Sequence, residues 1–268
     1  MVTAEESELL ESNRQFFGSA SLICATFPGA EVVKMPGLIA AWCNTATPFL
    51  NGIFLSRPVA DEADLETRAN ALAEYLSRKD KPPLFFACRE WIPESLRDAA
   101  TAAFARAGLS TSMTLTGMAT NEPLPTRGSA PELEWRRAAD RETRNQLADI
   151  NAAAYGAPTE DMREALALPE IWTEEFQGYV AQLDGEAVTT SSVMALNGAL
   201  HVMCVATLPA YQRRGYAEAA IRHSLAEMSR ATGLTRTTLH ATEAGKPAYI
   251  RMGYRETATF TGYMRDHF

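Results

Sequence analysis

The stretch Leu208-Pro-Ala-Tyr-Gln-Arg-Arg-Gly-Tyr-Ala217 decides how this chain is read. Before it, Leu200–Thr207 (LHVMCVAT) is an apolar strand pattern. After it, Ala217, Ala220, Ile221, Ser224, Leu225 and Met228 fall on one stripe of a helix that Gly233 stops. A strand-to-helix turn leaves the first N–H groups of the helix unpaired and aimed at whatever docks there, and the helix dipole favours an anion by roughly 0.3–1 kcal/mol. Gly215 permits close backbone approach, Ala217 keeps the first turn narrow, and Arg213 and Arg214 add charge that meets phosphate directly. The turn reads as a phosphate cradle. Taken alone, the same residues also suit a basic surface turn before an ordinary helix.

Working outward, LEWRRA is a strand pattern, followed by helical stretches around Thr143–Tyr155 and Thr159–Glu175. FQGYVAQL and AVTTSSVMAL flank Asp184-Gly185, and Asn197-Gly198 opens a second hairpin into LHVMCVAT, so an antiparallel meander leads into the cradle. Beyond the helix come the β-branched TRTTLHA, a short helix up to Met252 closed by Gly253, and the strand YRETATFTGYM.

A second segment, Leu239–Tyr254 (LHATEAGKPAYIRMGY), follows the cradle by one helix and one strand. Together the two segments resemble the GCN5-related N-acetyltransferase (GNAT) superfamily. Gln212–Ala217 (QRRGYA) matches its acetyl-CoA motif Q/R-x-x-G-x-G/A with alanine in the last place, and Leu239–Tyr254 is similar to its downstream motif LHAS-x-x-G-x-x-LYE-x-x-GF. Ile250 replaces the usual glutamate and Tyr254 the usual phenylalanine. The resemblance covers about the last 135 residues and implies an α/β (α+β) fold in which a mixed, mostly antiparallel central sheet is flanked by helices. It also implies acetyl-CoA as cosubstrate. The strand ending Val205-Ala206-Thr207 would run beside the pantetheine arm, and the amides of Gln212, Arg213, Arg214, Gly215, Tyr216 and Ala217 would hold the pyrophosphate. Thr242 falls where the family often has serine or asparagine near the cofactor, and Tyr249 falls on the tyrosine that in many members protonates the departing thiolate.

Elementary acid–base chemistry fits these roles. A lysine-like amine with pKa about 10.4 is neutral only about once in 2,500 at pH 7, a deficit of roughly 4.6 kcal/mol, so some group or ordered water must take its proton. A thiolate of pKa about 8.5 is already a fair leaving group, and a phenol of pKa about 10 assists it without prior activation. The developing oxyanion needs a donor, and a backbone N–H beside the thioester is the expected one. His201 is a candidate base from its unperturbed pKa, although it opens the strand whose other end should hold the thioester; an ordinary strand histidine is the competing reading. His240 reads as structural. Asp161, Glu164, Glu174 and Glu175 lie where the family shapes its acceptor site, or are a solvated face.

The first half repeats the same order. AAWCN and GIFLS read as strands, and Leu65, Ala69, Leu72, Ala73 and Leu76 line a helix. LFFAC is a strand, Leu96, Ala100, Ala103, Phe104 and Ala107 line a second helix stopped by Gly108, and SMTLTGM closes the half. The pattern suggests an internal duplication: a degenerate GNAT-like domain over residues 1–120, a linker over 121–131 centred on the Pro/Gly/Ser-rich TNEPLPTRGSAPE, and a catalytic GNAT domain over 132–268. Where the repeat calls for a cradle, Arg57–Glu66 (RPVADEADLE) offers no glycine but the carboxylates of Asp61, Glu62, Asp64 and Glu66, which repel pyrophosphate. Phe104 stands near the place of the tyrosine.

Composition narrows the function classes. In 268 residues the net charge of -8 argues against a nucleic-acid partner. The acidic start MVTAEESELLES lacks the basic and apolar regions of a secretory signal, and no run reaches the roughly 20 apolar residues that span a bilayer, so a cytoplasmic protein without membrane partners is expected. Cys24, Cys43, Cys88 and Cys204 form no CxxC pair and have no histidine at ligand spacing, so neither metal nor disulfides are expected; Cys43, Cys88 and Cys204 read as small buried hydrophobes. No GxSxG elbow is present. The leading function is transfer of an acetyl group from acetyl-CoA to a primary amine of a small molecule or peptide by direct attack on the thioester. A non-catalytic acyl-CoA sensor, a different acyl group and a hydroxyl acceptor stay open, as does the oligomeric state, a homodimer included.

Overall fold

A computed structural model describes residues 3–123, 125 and 132–265. The chain forms two compact units, Met1–Gly117 with Ala241–Ala244 and Glu256–Phe268, and Met118–His240 with Gly245–Arg255. Most of the stretch read as a linker, residues 124 and 126–131, lies outside the described residues.

In the first unit the order is α1 (Ala4–Cys24), β1 (Glu31–Met35), β2 (Leu38–Trp42), β3 (Asn51–Leu55), α2 (Glu62–Ser77), β4 (Leu84–Cys88), α3 (Arg97–Arg106) and β5 (Ser110–Thr120), whose last three residues fall in the second unit. Neither α1 nor β1 was legible as an element. The buried face of α1 mixes Ser12, Asn13, Gln15 and Ser19 with Ile23 and Cys24, so its apolar repeat is broken by polar residues. β2 and β3 are antiparallel and β3 and β4 parallel, and all three are buried along their whole length, which is why they read as continuous apolar runs. Their core joins Trp42, Ile53, Leu65, Leu72, Phe85 and Phe104.

The second unit contains β6 (Glu134–Arg137), α4 (Arg141–Tyr155), α5 (Thr159–Leu166), β7 (Phe176–Leu183), β8 (Glu186–Leu196), β9 (Ala199–Thr207), α6 (Tyr216–Thr232), β10 (Thr237–Thr242, ending past the unit at His240) and α7 (Lys246–Arg251). β6 to β9 are successively antiparallel, and β10 joins β9 in parallel. The turn residues have the left-handed backbone that an Asp-Gly or Asn-Gly hairpin requires: φ is 53° and 82° at Asp184-Gly185 and 50° and 78° at Asn197-Gly198. Ala220, Ile221, Ser224, Leu225 and Met228 of α6 are buried as the stripe predicts, and Gly233, at φ 75°, ends the helix. The helical stretch expected over Thr159–Glu175 stops at Leu166. Pro169 admits only a single 3-10 turn, Pro169–Ile171, and Glu174 and Glu175 precede β7 as exposed residues.

The final strand, β11 (Arg255–Met264), read as the close of the second half, runs almost entirely in the first unit. It lies antiparallel to β4 with Phe260 opposite Cys88 and Tyr263 opposite Phe85, and Phe260 and Tyr263 enter that unit's core. Its alternating pattern states that one face is buried and leaves open against what.

Candidate functional site

The site in the second unit starts from an irregularity in β9. Thr190 pairs with Ala206 and Ser192 with Met203, so Cys204 and Val205 together face Ser191 across the strands. This is a β-bulge, and Cys204 takes up the extra residue at φ 47°. Cys204 is therefore half-buried, not enclosed like Cys43 and Cys88. Hydroxyls steady the bulged backbone: Thr190 Oγ1 donates to the Cys204 carbonyl at 2.9 Å and Ser192 Oγ to the Met203 carbonyl at 3.0 Å. On the other edge, the parallel register of β10 runs only from Thr237↔Leu200 to Leu239↔Val202, so β9 passes from Met203 onward with no β10 partner. The two strands diverge where the bulge begins.

The turn after β9 is anchored to it. Gln212 Nε2 donates to the Thr207 carbonyl at 3.2 Å and the Leu208 N–H to the Val188 carbonyl at 3.0 Å. The Tyr211 hydroxyl donates to Glu186 at 2.6 Å, and the Arg214 guanidinium lies over the Tyr211 ring at 5.6 Å. Arg213 at φ 62° and Gly215 at φ 84° are both left-handed, a pattern that turns successive N–H groups toward one concavity. The first bond of α6 runs from the Ala219 N–H to the Gly215 carbonyl, so the N–H groups of Tyr216, Ala217 and Glu218 lie ahead of the helical ladder. A Cβ placed on Gly215 meets nothing within 4 Å, and Gln212 to Gly215 are exposed. Among the described residues Arg213 and Arg214 form no ion pair, whereas the Glu218 carboxylate in the first turn is held by Arg222 at 2.8 Å. The backbone here is open, donor-rich and basic.

Tyr249 is the buried residue of α7. Its ring stands edge-on to Tyr254 at 5.8 Å, and burial, with the phenols of Tyr155 and Tyr254 nearby, pushes its pKa well above the ordinary tyrosine value. It stays a protonated donor across the neutral range. Tyr254 accepts a hydrogen bond from Thr237 at 2.9 Å, consistent with the aromatic packing expected at that position.

One residue was missed. Tyr155 ends α4, and its hydroxyl donates to the Val205 carbonyl at 2.7 Å, on the bulge itself. Gly156 after it signals a helix end, which the left-handed φ of 66° confirms, but nothing local says where the preceding side chain reaches. Val205, Ala206, Thr207 and Gln212–Ala217 are thus brought into one continuous strand and turn, and Tyr249 belongs to the same unit. Thr242 is exposed at the end of β10, in the segment Ala241–Ala244 that groups with the first unit.

His201 is 2% exposed, its Nδ1 lies 2.9 Å from Thr238 Oγ1, and burial lowers its pKa to about 4. A base of that lowered pKa takes up a proton poorly at neutral pH, which favours the ordinary strand reading. Asp161 is half-buried and Glu164, Glu174 and Glu175 are exposed. Among the described residues no three His, Cys, Asp or Glu converge as a metal site, and no helix is long and apolar enough to cross a membrane.

Residues 174–256, from the start of β7 to the start of β11, match the family model of the acetyltransferase (GNAT) domain. This stretch of the second unit is similar to a GNAT acetyltransferase domain. Acyl transfer is the reaction class of that domain family, which supports an acyltransferase. Solved structures share the fold over nearly the whole chain. A GCN5-related N-acetyltransferase from Kribbella flavida superposes with TM-score 0.69 at 16% identity, covering 95% of this chain and 96% of that one. A functionally unknown conserved protein from Staphylococcus epidermidis gives 0.61 at 11%, covering 90% and 95%. A GCN5-related N-acetyltransferase from Sphaerobacter thermophilus gives 0.54 at 14%, covering 85% and 76%. No curated relative matches the sequence. The GNAT match contains the bulge, the cradle and Tyr249, and leaves out α4, α5 and most of the first unit.

Proposed function

We propose that the GNAT domain binds acetyl-CoA along β9 and the cradle and transfers the acetyl group to a primary amine of a small molecule or peptide. The observation that carries this reading is the open turn Gln212–Gly215: two left-handed residues, unobstructed space over Gly215 and two arginines without ionic partners among the described residues, ahead of a 17-residue helix. An extended ligand ending in phosphates fits that chemistry, with its arm along the unpaired edge of β9 from Met203 to Thr207. When bound, it would supply an activated acyl thioester. The chain's own part is to hold phosphates on the N–H groups of Arg213–Ala217, the Gln212 N–H being taken by the Pro209 carbonyl at 3.5 Å, and to orient the arm on Val205, Ala206 and Thr207. A β9 backbone N–H stabilises developing negative charge, and the Tyr249 hydroxyl gives a proton to the leaving sulfur. Burial keeps Tyr249 protonated, which suits a donor.

The first half is read as a degenerate copy of the fold that binds no acetyl-CoA. At its cradle position α2 is closed by its own chain: Asp61 accepts from the Asp64 N–H at 2.9 Å, Asp64 accepts from the Ala60 N–H at 3.0 Å, and Arg57 is paired with Asp64 at 2.7 Å. A cytoplasmic setting belongs to the same reading.

The test is to mix the protein with acetyl-CoA and a panel of primary amines and to follow free CoA thiol. Amine-dependent CoA release is expected. Saturable acetyl-CoA binding with no release on any amine or hydroxyl acceptor would establish the sensor reading instead.

A further inference from the structure

The first unit contains a cavity of about 300 Å³ that shares no residue with the site above. Its polar wall comes from four places: Arg89 just past β4, Arg97, Asp98 and Thr101 on the first turns of α3, Thr111 on β5, and Thr261 with Tyr263 on β11.

Three observations point to an anionic occupant. Arg89 makes no ion pair among the described residues, and the ionic partner of Arg97, Glu94, is 3.8 Å away with a side chain 91% exposed. Arg97 Nε is buried without a hydrogen-bond partner, a condition that native structures normally relieve with water, an ion or a ligand. Arg97 is also the first residue of the ten-residue α3, where a cation opposes the helix dipole, so its charge does not serve the helix. Two guanidinium groups beside the Thr111 and Thr261 hydroxyls match the oxygens of a carboxylate or phosphate, while the Thr101 hydroxyl already donates to the Arg97 carbonyl at 3.1 Å. Asp98 is the opposing charge, leaving the wall with two cations against one anion.

We propose that this cavity is a second ligand site, for a small carboxylate or phosphate held by Arg89 and Arg97. The experiment is calorimetric titration of the full chain with inorganic phosphate in one arm and succinate in the other, at fixed ionic strength, with and without saturating CoA. One saturable event per chain is expected in at least one arm, whether or not CoA is present, and the arm that responds tells phosphate from carboxylate. Arg97→Gln should weaken the event about tenfold or more, as expected for a charge-assisted hydrogen bond. Asp98→Asn should tighten it, a change that damage to the fold would not produce. Because Arg97→Gln could act through folding, Arg89→Gln, on an exposed residue, is the second variant and should weaken binding with an unchanged melting temperature. No saturable event in either arm at millimolar concentration overturns the proposal. So does an event indifferent to both arginine substitutions, or one abolished by CoA, which would place the ion in the cradle of the GNAT domain.

Discussion

Gly215→Val separates the ligand-binding and backbone roles of the cradle. Gly215 sits at φ 84° and ψ -1°, a conformation that costs an L-residue roughly 1–2 kcal/mol, but an added Cβ meets no atom within 4 Å, so no clash is added. At about 2–4 °C per kcal/mol for domains of this size, the melting temperature should fall by about 2–8 °C. The new side chain occupies the space over the N–H groups that are argued to take the pyrophosphate. Loss of two charge-assisted bonds of about 1.5–3 kcal/mol each corresponds to a weakening of CoA binding by more than about 100-fold. Gly233→Val is the matched control: the same helix, φ 75°, nothing within 4 Å of the added Cβ, and no ligand role. It should lower the melting temperature by a similar amount and leave the CoA dissociation constant within about twofold. Titration calorimetry and a melting curve on each variant decide the matter. Near-parental affinity in Gly215→Val, or equal loss in both variants, would refute the assignment.

Tyr249→Phe should keep CoA affinity and lower kcat by about 10²–10⁴-fold, read at saturating acetyl-CoA; a rate within about twofold of the parent would remove Tyr249 from the mechanism unless product release limits both. Each chain should bind one CoA, because the phosphate position of the first half is filled by Asp61 and Asp64; a calorimetric stoichiometry of two would contradict this. Asp64→Ala should destabilise the first unit by about 3 kcal/mol in urea unfolding, since it strips the carboxylate from Arg68, which is fully buried and also donates to the carbonyls of Gly37, Arg57 and Pro58. Hydrogen bonds from Arg68 and then Arg57 hold the Asp64 carboxyl well below its ordinary pKa. Its contribution is therefore complete above about pH 4 and is lost as the pH falls toward the depressed folded value, so the parent should lose stability more steeply than Asp64→Asn below about pH 4.

The sequence by itself determined whatever depends on neighbours along the chain. Asp184-Gly185 and Asn197-Gly198 specify hairpins because their left-handed backbone is a local property, and the α6 stripe, its Gly233 stop and the Gln212–Ala217 turn follow from periodicity and glycine placement. The tertiary structure alone decided whatever depends on partners far away in sequence. The bulge at Cys204-Val205 arises from register against β8, and LHVMCVAT looks regular without that partner. Tyr155 reaches the Val205 carbonyl across 50 residues, and the burial that lowers the His201 pKa comes from packing that a lone strand does not reveal. The pairing of β11 with β4 joins residues more than 170 positions apart. An alternating pattern fixes which face of a strand is buried, but the hydrogen bonds of a sheet edge are nearly the same for every candidate neighbour. Only the shape and packing of the assembled core select among them.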